Sequence, residues 1–129
     1  MTTAQSTLAR PYTPFSAWLT MARVSNSPTV ATNVLAGAAL AGATAAGWEI
    51  PALIVAFVIF YTAGMLLNDV CDYGWDLVNR PDRPLVVGAV ARPVALVTSL
   101  AMLSAAGGLL FILNTRAFLA GLVLTGLIV

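Results

Sequence analysis

Residues 93–113 read PVALVTSLAMLSAAGGLLFIL, an unbroken run without one charged side chain. At 1.5 Å per residue, a helix of that length reaches across the ~30 Å hydrocarbon core of a bilayer. Thr29 to Gly47 and Ala52 to Leu67 are free of charge as well, and a shorter apolar run extends from Ala117 to Val129. The composition agrees: 60% of the 129 residues are hydrophobic and 9% charged, at a mean hydropathy of +0.92. Soluble domains carry about a quarter charged residues, so this chain is built for lipid. It reads as an all-α, polytopic transmembrane helix bundle with spans near 28–47, 51–67, 93–113 and 117–129. The fourth run reaches only about 20 Å and is expected to be a truncated span. A cleaved signal peptide is the competing account of the first span, but that run starts late and more spans follow.

The charges narrow the function. All six basic residues are arginine, no histidine or lysine is present, and the net charge is +1. Without a basic patch, nucleic acid is not an expected partner. Histidine acid–base chemistry and histidine-ligated zinc are excluded within this chain, and the lone Cys71 excludes an internal disulfide. Arg10, Arg23, Arg80, Arg83 and Arg92 fall on one side of the spans and only Arg116 on the other. By the positive-inside rule, the N-terminus and the acidic segment face the cytoplasm, in a bacterial-type inner or plasma membrane.

Residues 1–12 are expected to be a disordered N-terminus. Thr13-Pro14 carries a helix-start signal, an N-cap followed by proline at the first helical position. Phe15, Trp18, Leu19 and Ala22 follow at helical spacing, predicting a short helix in the membrane interface. Ser27-Pro28 repeats the start signal. In the span behind it, Gly37, Ala41 and Ala45 share one ridge and Ala38, Gly42 and Ala46 the next, a spacing that lets helix backbones approach in lipid. Trp48 to Pro51 reads as a tight turn, Asn68 to Arg92 as a polar loop, and Asn114 to Arg116 as a turn into the last run.

Chemistry concentrates in residues 68–84, NDVCDYGWDLVNRPDRP. Asp69, Asp72 and Asp76 are spaced by three and four, which on a helix continuing from the second span predicts three carboxylates on one face. Like charges at the end of a membrane helix are costly unless a cation neutralises them. Hard oxygen donors suit Mg²⁺, which takes one or two carboxylates and completes its shell with water and phosphate oxygens. Arg80 and Arg83 follow at once, and guanidinium forks match phosphate. Acids for Mg²⁺ beside arginines for phosphate, at the mouth of an apolar bundle, describe a site for a polyprenyl diphosphate. The bland reading is a solvated connector with internal Asp76–Arg80 and Asp82–Arg83 pairs. A cation or lipid transporter, or a non-catalytic membrane scaffold retaining the loop, are further alternatives.

The same stretch resembles the first signature of the UbiA superfamily of intramembrane prenyltransferases, N-D-x-x-D-x-x-x-D followed by R-P-x-R-P. Asn68, Asp69, Asp72, Asp76, Arg80, Pro81, Arg83 and Pro84 match it, and Gly88 falls where the family commonly has glycine. The resemblance implies Mg²⁺-dependent transfer of a prenyl group to an acceptor within the membrane, with Mg²⁺ held by Asp69, Asp72 and Asp76. It further implies diphosphate contacts from Asn68, Arg80 and Arg83. Arg23 and Asn33 lie where the family places further substrate contacts, although alone they read as a topological arginine and a helix–helix asparagine. Two departures stand out. Val86 and Val87 replace small polar residues, and the family's second aspartate motif has no counterpart here. The family's fold has about nine helices, so about four are expected in this chain, which by itself is expected to be inactive. The acceptor stays open among aromatic acids, quinone precursors, tetrapyrroles and glycerol phosphates.

Overall fold

A computed structural model describes residues 12–43 and 47–128. The readings placed on residues 1–11, with Arg10, and on Ala45 and Ala46 lie outside the described residues. The described residues are all helical or irregular. They form α1 (Pro14–Ala22), a 3₁₀ turn (Val24–Asn26), α2 (Ser27–Leu40), α3 (Glu49–Cys71), α4 (Tyr73–Asn79), α5 (Arg92–Leu113) and α6 (Thr115–Ile128).

The frame is the antiparallel pair α3 and α5. Ala56, Phe60, Ala63, Leu67 and Val70 recur along α3 at steps of three and four, which draws one buried stripe down the helix. Ala95, Ser99, Leu103, Ala106 and Leu110 do the same on α5. Phe60, Ala63 and Leu67 meet Leu103 and Ala106, whereas Leu66 and Val70 meet Ala95. Alternating small and large residues let the backbones close without voids. The buried Ser99 hydroxyl donates to the Leu96 carbonyl at 2.8 Å, so its polar group is satisfied inside its own helix.

α3 and α5 are the two described helices long and apolar enough to cross a membrane. Only 33% of the apolar window of α3 and 22% of that of α5 is buried in the chain, which leaves most of this surface for lipid or for further helices.

Several boundaries differ from the sequence reading, each for a visible reason. α2 covers 27–40 rather than 28–47, only about 21 Å of helix. Gly42 ends it at φ +68: the Gly42 amide donates to the Ala39 carbonyl and the Ala43 amide to the Ala38 carbonyl. That is a Schellman stop, so Gly42 terminates the helix rather than extending a packing ridge. Glu49 to Pro51 form the first turn of α3 rather than a tight turn. The second span extends four residues beyond Leu67, to Cys71, and the segment read as a loop contains α4.

At α1 the start signal holds, because the Ser16 amide donates to the Thr13 side chain. Its packed face differs, with Ala17 and Met21 buried against α3 while Phe15 is 73% exposed. Ser27 lies inside α2 and Asn26 takes the cap position without a side-chain bond. The Asn114 turn forms as read: its side chain accepts from the Arg116 amide at 2.7 Å, and Phe111 meets Phe118 edge-on across it.

Candidate functional site

The site lies where α3 ends and α4 begins. Asn68 and Asp69 occupy the last turn of α3, an apolar helix that brings their polar groups to the end of the bundle. Asp72 joins the two helices, its amide donating to the Asn68 carbonyl at 2.8 Å and its carbonyl accepting from the Asp76 amide at 2.9 Å. Asp69 and Asp76 are buried, whereas Asp72 is exposed and accepts a 2.8 Å hydrogen bond from the Asn68 side chain. Asp72 therefore differs from the other two carboxylates in exposure. On a straight helix residues 69 and 76 lie two turns apart and nearly in line, with residue 72 about 60° around the axis at the edge of the same face. Among the described residues, no three acidic or thiol groups lie close enough to enclose an ion.

The arginines come from the segment after α4, and proline packing sets their places. Arg80 ends α4, its amide donating to the Asp76 carbonyl. Pro84 and Leu85 are buried and pin the strand of chain that follows, which brings Arg83 back to α3. Its Nη1 lies 3.6 Å from Asp69 Oδ1, with the two side chains 21% and 7% exposed. Among the described residues this is the one ion pair; Asp76–Arg80 and Asp82–Arg83 do not form. The connector reading therefore loses the contacts it relied on.

Arg23, at the joint between α1 and the 3₁₀ turn, makes no ion pair with the described acidic residues. Asn33 stands elsewhere, on the wall of an apolar groove of about 1010 Å³ between α2 and α3, together with Val30, Leu53, Phe57 and Tyr61. At one end of that groove the Asn26 side chain donates to the Tyr61 hydroxyl at 2.9 Å, so Tyr61 does more than pack.

The turn carrying Arg83 closes as α2 does. The Ala89 amide donates to the Pro84 carbonyl and the Gly88 amide to the Leu85 carbonyl, with Gly88 at φ +73. A Cβ at Gly88 would meet nothing within 4 Å, so only the backbone conformation resists substitution. Gly88→Ala is expected to cost about 1–2 kcal/mol, read as a lower melting temperature of the full-length protein in detergent.

Two contacts were not foreseen from the sequence. The Arg80 guanidinium lies over the Trp75 ring, 5.2 Å from its centroid, and that of Arg92 over Tyr73 at 5.1 Å. The signal was an aromatic residue of α4 for each arginine, but neither pair falls at the three- or four-residue spacing that marks helix neighbours.

A family model for the UbiA prenyltransferase family matches residues 30–129, which includes the whole aspartate–arginine segment. The chain belongs to the UbiA prenyltransferase family. UbiA proteins are membrane-embedded, in keeping with the two candidate spans. Digeranylgeranylglyceryl phosphate synthase of Thermococcus sibiricus is 33% identical over 87 residues, 63% of this chain and 31% of the relative. Enzymes of the same name from Pyrococcus furiosus and Methanopyrus kandleri are 38% and 34% identical. They cover 54% and 76% of this chain, and 26% and 36% of their own lengths. The chain thus spans roughly a third of the curated relatives it matches. No solved structure matches it significantly.

Proposed function

We propose that the whole protein transfers a prenyl group from a polyprenyl diphosphate to an acceptor within the membrane. The observation that carries this reading is the buried Asp69 carboxylate facing Arg83, beside Asp72 and Asp76, at the end of an apolar helix pair. Buried carboxylates next to arginines are expensive in a bundle with no task for them. The relatives' name points first to an isoprenoid glyceryl phosphate as acceptor, with aromatic and quinone-precursor acceptors following from the wider family.

The donor set fits a hard divalent ion, because it offers carboxylate oxygens and Mg²⁺ needs only one or two of them. Asp69, Asp72 or Asp76 would hold Mg²⁺, which would supply positive charge to offset the negative charge developing on a diphosphate leaving group. Arg83, and Arg80 beside it, neutralise the same leaving group through bidentate hydrogen bonds. Asn68, already bonded to Asp72, orients that carboxylate. The acceptor oxygen or carbon then attacks the allylic centre and loses its proton. The groove between α2 and α3, with Asn33 on its wall, offers apolar surface to the hydrocarbon tail. Arg23, Arg80, Arg83 and Arg92 flank the site and Arg116 follows α5, so this end is assigned to the cytoplasm.

The test is prenyl transfer by the full-length protein in membranes, with radiolabelled geranylgeranyl and farnesyl diphosphates, a panel of acceptors, and Mg²⁺ or EDTA. Lipid-extractable product that forms with Mg²⁺ and falls to background in EDTA is expected. No product with any acceptor would favour the transport or scaffold reading.

A further inference from the structure

Spacing assigns Arg80 the wrong partner. Asp76 lies four residues before it, the spacing at which a helix joins an acid to an arginine. Instead Asp76 is buried, and the Arg80 guanidinium is exposed over the face of Trp75. The two contacts differ in what they consume. An ion pair with Asp76 would occupy the planar N–H edge of the guanidinium and neutralise both groups. Stacking on a ring occupies the flat face and leaves all five N–H donors and the full charge available.

We propose that Trp75 is the positioning residue for Arg80, an inference that rests on the diphosphate site proposed above. Its ring holds the donor edge open towards a diphosphate and keeps Arg80 from closing onto Asp76. Two observations support a role of this kind. The Trp75 side chain is 55% exposed, so it adds little to the core and its conservation of shape is not needed for packing. Tyr73, two residues earlier on α4, holds Arg92 in the same geometry at 5.1 Å. α4 therefore presents Asp76 inwards and uses both of its aromatic side chains as rests for arginines.

The experiment measures binding of geranylgeranyl thiolodiphosphate, an unreactive analogue, to full-length protein in nanodiscs with Mg²⁺. Trp75→Ala and Trp75→Leu are each expected to weaken binding about fivefold, the equivalent of about 1 kcal/mol of cation–π contact. Trp75→Phe, which keeps an aromatic face, retains most of the affinity. Arg80→Ala weakens binding further, and Trp75→Ala added to it has no additional effect, because the ring acts only through the guanidinium. A merely structural Trp75 would weaken both backgrounds equally. Equal losses in the two backgrounds, or wild-type affinity in Trp75→Leu, overturn the assignment while leaving the diphosphate site intact. Absence of analogue binding by the wild-type protein overturns both.

Discussion

Asp69→Asn and Asp72→Asn, each made in the full-length protein, are expected to lower prenyl transfer by at least about a hundredfold. They should then part company in stability. Asp69 is buried opposite Arg83 at 3.6 Å, so the amide leaves a guanidinium without its counter-charge. Removing one partner of a fully buried pair costs about 3–5 kcal/mol. Arg83 is 21% exposed and the contact is long, so about 1–2 kcal/mol is expected here. Asp72 is exposed and touches Asn68, and its replacement should stay within about 0.5 kcal/mol of wild type. Initial rates with labelled diphosphate, paired with melting curves in detergent, read both effects. Full activity in either variant would remove that carboxylate from the site. Equal stability of the two would mean that Asp69–Arg83 does not hold the loop.

The second large effect concerns the frame. Ala63 is fully buried between Phe60 and Leu67 of α3 and Leu103 and Ala106 of α5. A leucine there adds three carbons where the backbones meet, and overpacking of this kind costs about 1–3 kcal/mol. In lipid the cost falls on close helix approach, which the small residues exist to permit. Ala63→Leu is therefore expected to reduce recovery of monodisperse protein from membranes, while Val97→Leu, on the exposed face of α5, leaves it unchanged. Equal recovery of the two would place the α3–α5 contact outside the folding core.

The legible parts were those that depend on composition or on short spacing. Charge-free runs marked α3 and α5, and the Asn68 to Pro84 signature fell in the segment that forms the candidate site. The errors share a physical origin in backbone geometry. Gly42 was counted as a small packing residue, and its left-handed conformation instead stops α2. The helix of the second span runs through Asn68, Asp69 and Cys71, because polar residues at a helix end do not by themselves terminate it. The break between α3 and α4 at Asp72 has no proline or glycine at that position to announce it. Spacing alone likewise does not separate the exposed Asp72 from the buried Asp69 and Asp76. Arg83 reached Asp69 because Pro84 and Leu85 found the core, a tertiary event no local pattern records.

Arg23 has a consequence for engineering. It is the one described non-glycine residue at positive φ, with φ 47 and ψ 46, where α1 hands over to the 3₁₀ turn. A side chain in that conformation costs about 1–2 kcal/mol that glycine would not. Glycine at this position would thus relax the joint between the first two helices, and it would also delete one of the positive charges on the same side of the spans as the aspartate segment. Thermal robustness and electrostatic readiness pull position 23 in opposite directions. A directed-evolution campaign scored on heat resistance alone would favour the hardier protein and lose that charge.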